Sequence, residues 1–256
     1  MPTGWFPFFS HLDGWPRTTK KLRKESRKFL EMYLGQRGWA QSVAQSSAVD
    51  LDGPIPWYTY PAIRDLARII SPSARVFEYG SGNSTLWWRA HAQEVISVEH
   101  DPIWHAHSQA GKEADVRLRQ SDDQTNEQHF DHIRSLLTDI PSPPASLDSE
   151  TIVRRGLANE PFMSYIAELL TCPDQYFDVI VVDGMARSAC ARLAAQRLKP
   201  EGLIVFDNSD RTEYNDAYEF LINAGFARIN YWGPGPINPY EWCTSIFTKS
   251  LAPFSE

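Results

Sequence analysis

Cysteine is scarce in this 256-residue chain: Cys172, Cys190 and Cys243 are odd in number and show no Cys-x-x-Cys spacing. That excludes a disulfide framework or a cysteine-built zinc site and predicts reduced thiols in a cytoplasmic protein. No apolar run reaches eighteen residues, so no membrane span is expected. The early run Trp5-Phe6-Pro7-Phe8-Phe9 is too short and proline-broken for the core of a signal peptide. Positive charge is in deficit, with a formal net charge of −7. Phosphate backbones are held by clustered positive charge, so a nucleic-acid partner is not expected. No break in composition forces a second globular unit on a chain of this length.

What is present begins with an aromatic segment rich in Pro and Gly, residues 1–16. A helix spanning Thr18–Leu34 follows, with lysines and arginines on most of one face, read as a solvated surface. Gln41–Gly53 reads as a polar linker. A helix over Ala62–Ile70, with Pro61 in its first turn and Pro72 beyond its end, follows the usual asymmetry of helix termini.

The stretch from Arg75 to Asp101 organises the rest. Arg75–Tyr79 is a short apolar strand with Glu78 at its mouth, and the glycines of Gly80-Ser81-Gly82-Asn83-Ser84-Thr85 permit a tight turn and close backbone approach to a ligand. Asn83, Ser84 or Thr85 then caps a helix running through Leu86-Trp87-Trp88-Arg89. A second strand, Val95–Val98, ends at Glu99, about twenty positions beyond Glu78. In such a unit the second acid accepts hydrogen bonds from ribose hydroxyls at the carboxyl end of a parallel sheet. A dinucleotide would call for a third glycine where this chain has Thr85. An acid ahead of the glycines suits the amino group of a methionine moiety instead.

On these residues the chain resembles the class I S-adenosylmethionine (AdoMet) methyltransferases, whose first motif has the form E-x-G-x-G with an acid closing the next strand. The resemblance covers roughly residues 57–249. It implies an α/β, Rossmann-like, doubly wound, seven-stranded and mostly parallel sheet with an antiparallel last strand. Residues 1–53 then form an N-terminal helical extension, and 54–256 a methyltransferase domain carrying an insertion at 124–175. It also implies AdoMet on Glu78, Gly80, Gly82, Asn83, Ser84, Thr85 and Glu99, with His100 against adenine and Asp122, after a third strand at Asp115–Arg119, meeting the adenine amino group. Trp57, Tyr58 and Tyr60 are placed to form a lid whose ring faces attract the sulfonium cation.

The insertion contains a helix over Glu127–Leu137, a Pro- and Ser-rich loop at 141–146, and a helix through Phe162–Leu170. Its size and position suggest a lid or substrate loop. Beyond it come a strand over Tyr176–Gly184 with Asp183 at its mouth, a helix over Ser188–Leu198 and a strand over Leu203–Phe206 closed by Asp207-Asn208. A helix over Ala217–Ala224 and two strands, Ala227–Trp232 and Cys243–Lys249, finish the chain.

Four carboxylates converging on one crevice repel unless cations join them. Asp183 with Asp207 and Asn208 resembles the metal triad of catechol-type O-methyltransferases, which implies Mg²⁺ or another divalent ion. Where those families carry a basic lysine this chain has Ala186. Arg187 stays protonated and is cast as an anchor for a substrate carboxylate or phosphate. Asp183 or the metal is left as the base. The pieces Gly-Asn-Ser-Thr, Val-Asp-Gly with Arg187, and Phe-Asp-Asn-Ser-Asp-Arg also resemble a bacterial methyltransferase group and, more distantly, plant glucuronoxylan O-methyltransferases. That implies a hydroxylated small molecule or glycan as acceptor, near Arg187 and Tyr240. An NAD-dependent oxidoreductase and a non-catalytic AdoMet-binding module are the competing readings.

Overall fold

The computed structural model describes residues 20–120, 127–138, 140–142, 145–154, 157 and 159–254. Helix α1 (Lys20–Tyr33) and the short α2 (Trp39–Gln45) precede α3 (Tyr60–Ile69). Then come β1 (Arg75–Tyr79), α4 (Asn83–His91), β2 (Glu94–Glu99), α5 (Pro102–His107), α6 (Gln109–Glu113) and β3 (Asp115–Leu118). After α7 (Glu127–Leu137), α8 (Ser149–Arg154) and α9 (Met163–Ala167), the alternation resumes with β4 (Val179–Val182), α10 (Arg187–Arg197) and β5 (Leu203–Phe206). Helix α11 (Asn215–Asn223), β6 (Ala227–Gly233) and β7 (Trp242–Thr248) close the fold.

These strands make one seven-stranded sheet in the order β3-β2-β1-β4-β5-β7-β6. Pairs β1·β2, β1·β4, β2·β3 and β4·β5 are parallel. β7 runs antiparallel to both β5 and β6, as expected for the last strand. The order reverses between β2-β1 and β4-β5, which opens a crevice at the carboxyl ends of the central strands.

Residue parity sorts the core into two layers, because successive side chains of a strand point to opposite faces. Phe77, Tyr79, Ile180, Val182, Ile204 and Phe206 pack with α7, α9, α10 and α11. Val76, Val95, Val179, Val181 and Val205 pack with Tyr58, Leu66, Trp87 and Trp88 on the other side. Continuing the second parity past the strand ends brings Glu78, Glu99, Asp183 and Asp207 to one face of the sheet. The four acids are neighbours for that reason.

Two expectations change. Residues 41–53 are not a free linker: α2 begins at Trp39, and Ser42 Oγ bonds the backbone of Val49 from both sides, at 2.6 and 3.0 Å. Asn83 Nδ2 donates to Ser47 Oγ (2.8 Å) and to the Ala48 carbonyl (2.7 Å), tying this segment to α4. The insertion is not a lid in its described part. Ile133, Leu136, Phe162, Met163, Tyr165 and Ile166 are buried in the core layer beneath β1 and β4. A run so apolar has more to gain from burial than from covering a wet cleft. It contains a helix that the sequence reading lacked, α8, and the region expected as one helix over Phe162–Leu170 is α9 flanked by 3₁₀ turns. Between β2 and β3 the chain forms α5 and α6 as separate helices, because Ser108 leaves the helical conformation and its hydroxyl accepts from Gly111 N as a new cap. No helix among the described residues is long and apolar enough to cross a membrane.

Candidate functional site

The turn after β1 sets the floor of the site. Gly80 has φ +98°, and a Cβ there would stand 3.2 Å from the Asp183 carbonyl, so only glycine fits where the β1 and β4 ends meet. Gly80 N donates to Val98 O (3.0 Å) and Asp183 N to Tyr79 O (3.1 Å), locking the ends of β1, β2 and β4 together. Above this floor lies a cleft of about 310 Å³ lined by Gly80, Ser81, Glu99, His100, Asp101, Trp104, Asp183, Gly184, Met185, Arg187, Arg211 and Tyr214. It follows the strand ends from β2 to β5.

Glu99 is the organised acid of the cleft. Its Oε2 accepts from Ser81 N (3.2 Å) and Ser81 Oγ (2.9 Å), and its Oε1 from the backbone N–H groups of His100 (2.9 Å) and Asp101 (3.0 Å). His100 Nδ1 stands 3.0 Å from the same oxygen. Burial pushes its pKa up, but His100, the Asp101 amide and Ser81 together hold it below the usual carboxylate range. Trp104 on α5 donates its indole N–H to the Ser81 carbonyl (2.8 Å), so a half-exposed aromatic face stands beside the turn.

Glu78 lies beneath the turn rather than in the cleft. Fully buried, it accepts on Oε2 from Thr85 Oγ1 (2.5 Å) and Ser97 Oγ (2.7 Å), while Thr85 Oγ1 also receives the Gly82 N–H (3.1 Å). Its Oε1 has no well-aligned partner, although the Ser84 hydroxyl is near enough to favour the charged form. Burial dominates and lifts its pKa to about 7. A carboxyl raised from 4.5 to about 7 stabilises the fold fully below 4.5, and that contribution is lost as pH rises through 7. Stability of Glu78→Gln relative to the parent protein should therefore grow steadily between pH 4.5 and 8 in denaturant titrations. A difference independent of pH would contradict the raised value.

The other expected cofactor residues divide. Gly80, Glu99 and His100 line the cleft; Gly82, Asn83, Ser84 and Thr85 do not. Asn83 holds the N-terminal segment, and α4 has Gly82 as its N-cap, with Thr85 Oγ1 reaching back to accept the Gly82 N–H. Trp57 is 45% exposed and away from the cleft, and Tyr60 packs near the Arg37 guanidinium. Tyr58 is the aromatic that reaches the acids: it is fully buried, and burial followed by the charges of Glu78 and Asp183 pushes its phenol pKa well up. Tyr240 is exposed and does not line the cleft. Asp122 lies outside the described residues.

The expected metal triad takes a different form. Arg187, at the start of α10, sits between Asp183 and Asn208. Its Nε donates to Gly184 O (2.9 Å), one terminal nitrogen to Asp207 O (2.6 Å) and Asn208 Oδ1 (3.4 Å), and the other to Asp183 O (3.2 Å) and Asp183 Oδ1 (3.1 Å). All five guanidinium N–H groups are committed within the protein. Asp207 Oδ1 is turned inward, to Trp242 Nε1 (3.0 Å) and Thr244 Oγ1 (2.6 Å). A cation already joins these groups, so the donor set does not fit a divalent ion. Among the described residues no group of three His, Cys, Asp or Glu is arranged to hold one. The expectation of Mg²⁺ on Asp183, Asp207 and Asn208 is therefore corrected, and so is that of Arg187 as a free anion anchor.

Asp183 keeps about a fifth of its side chain open to the cleft. Burial and then the neighbouring Asp207 push its pKa well above the usual range, with Arg187 and Arg211 acting against the rise. Tyr165, from the insertion, is buried with its hydroxyl against Gly184, where a Cβ would collide with it. Ser81, Trp104, Met185, Arg211 and Tyr214 were not singled out for the site from the sequence. The Asp-Arg pair after Asn208 and the tryptophan just past the Glu99 strand were the available signals.

No family model matches the chain, and no curated protein matches it. Among solved structures, it is similar to a precorrin-6y C5,15-methyltransferase from Geobacter metallireducens, at 14% identity over 74% of this chain and 87% of that one, TM-score 0.46. It is also similar to a TehB-like SAM-dependent methyltransferase from Corynebacterium glutamicum, at 16% identity over 89% and 100% of the two chains, TM-score 0.41. A spermidine synthase from Thermotoga maritima aligns at 12% identity over 75% of this chain, TM-score 0.42, and the match spans 58% of that protein's length. At these identities the likeness is one of fold.

Proposed function

We propose that this chain is an AdoMet-dependent methyltransferase that acts on a hydroxyl of a small molecule or sugar. The observation that carries the reading is the junction of a tight glycine turn after β1 with a low-pKa carboxylate closing β2, both opening on one cleft with Asp183. Bound AdoMet would supply an electrophilic methyl group on a sulfonium.

Glu99 accepts from ribose hydroxyls in this reading. Its four lone-pair sites are already taken, two of them by Ser81, so the Ser81 hydroxyl (2.9 Å) is the contact that yields to a ribose oxygen. The buried, incompletely paired Glu78 gives a cationic amine a counter-charge beneath the turn. Trp104 offers an aromatic face beside it. Asp183, partly open to the cleft and with a raised pKa, suits a base that takes the acceptor's proton. Transfer itself then depends mainly on alignment in a site shielded from water.

The oxidoreductase reading is disfavoured by Thr85, whose hydroxyl is spent on Gly82 N and Glu78 where a dinucleotide fold packs a glycine. The net charge of −7 supports a small acceptor over a nucleic acid. Calorimetry with S-adenosylhomocysteine and with NADH tests the reading: micromolar binding of the first and at least a hundredfold weaker binding of the second is the expected result. Preference for NADH, or indifference to both, would sink it.

A further inference from the structure

We infer that the acceptor carries an oxyanion, a carboxylate or phosphate, which Arg211 holds at the β5 end of the cleft. The inference rests on the methyltransferase reading and names the acceptor class it implies. Arg211 lines the cleft, is exposed, and its guanidinium makes no hydrogen bond or ion pair with any described residue. Its backbone is fixed, since Arg211 N donates to Asn208 O (3.1 Å) and Arg211 O accepts from Tyr218 Oη (3.4 Å). The side chain is thus an exposed cation on a hydrogen-bonded backbone.

The rest of the cleft is acidic. Glu99 is held ionised and already paired, Asp101 caps α5, and Asp183 shares Arg187 with the backbone. Arg187 has no donor left for a ligand. Among the described cleft residues Arg211 is therefore the one permanent cation with N–H groups to give, and its planar fork matches a carboxylate or phosphate. Position supports the same role. In the order β2-β1-β4-β5 the ends carrying Glu99 and Arg211 are three strand spacings apart, about 14 Å. A nucleoside on Glu99 leaves the Arg211 end for the second substrate, with Asp183 between them.

Inorganic phosphate, titrated at constant ionic strength into the full-length protein with and without S-adenosylhomocysteine, is the direct probe. We expect saturable binding that Arg211→Gln weakens about tenfold or more and Arg211→Lys weakens less, with S-adenosylhomocysteine affinity unchanged in both variants. Matched acceptors such as catechol with 3,4-dihydroxybenzoate, and glucose with glucose 6-phosphate, should be separated at least tenfold in kcat/KM in favour of the anionic member. Arg211→Gln should erase that preference through KM, leaving kcat within about twofold. Absent phosphate binding, equal binding by Arg211→Gln, or a preference for neutral acceptors would each overturn the assignment. A protein that binds phosphate through Arg211 but ignores S-adenosylhomocysteine would refute the methyltransferase reading and keep Arg211 as an anion site.

Discussion

Replacing Arg187 with alanine is expected to destabilise the fold by about 3–5 kcal/mol, the usual cost of breaking a buried charge pair from one side. The residue is 7% exposed and satisfies the carbonyls of Asp183, Gly184 and Asp207 together with the Asp183 carboxylate. Its removal leaves those acceptors buried and unpaired at the ends of β4 and β5 at once. For a chain of this size such a loss lowers Tm by on the order of 10 °C. Lysine should rescue little, because one ammonium cannot span acceptors on two strands as the planar fork does. Thermal melts of Arg187→Ala and Arg187→Lys check this. A variant that melts with the parent protein but loses only acceptor binding would return Arg187 to the role of substrate anchor.

The second large effect concerns the cofactor. Glu99→Gln should weaken S-adenosylhomocysteine binding by tenfold to a hundredfold, about 1.5–3 kcal/mol, since the ribose loses its charged acceptor. The substitution is small in volume but reverses polarity at one atom. Backbone N–H groups of Ser81, His100 and Asp101 all point at the carboxylate, so the amide nitrogen of glutamine must face at least one of them, donor to donor. Because the turn loses its acceptor as well, its order and the ligand's affinity fall together. Calorimetry on a variant whose circular dichroism matches the parent gives the answer; affinity preserved within threefold would mean that Glu99 does not hold the nucleoside.

How much of this was legible beforehand depended on whether a signal was local. Short apolar runs each closed by an acid marked the strand mouths, and the ends of a parallel sheet converge on one crevice, so Glu78, Glu99, Asp183 and Asp207 were expected near one another. The register of Arg187 was hidden for a different reason. Its spacing of four from Asp183 was visible, but whether a buried guanidinium serves the backbone or a ligand is decided by Asp207 O and Asn208 Oδ1, which arrive from the next strand. In the same way, which of Trp57, Tyr58 and Tyr60 turns inward follows from local backbone held by Thr59, whose hydroxyl bonds Tyr231 O (2.9 Å) far along the chain. The insertion misled because length alone suggested a cover. Its buried residues Ile133, Leu136, Tyr165 and Ile166 show that apolar composition was the better guide.

The junction of Gly80 with Asp183 has a consequence for how the polypeptide matures. Residues 75–118 contain three neighbouring strands joined by local crossovers, whereas β1 meets β4 only through a distant pairing, Val76 with Val179, across the whole insertion. Closing so long a loop is entropically slow, so this seam is expected to zip late in folding. Because the cleft straddles the seam, an intermediate with only its first half structured has an incomplete cleft. Ligand competence is thus coupled to closure of the long-range β1–β4 pairing.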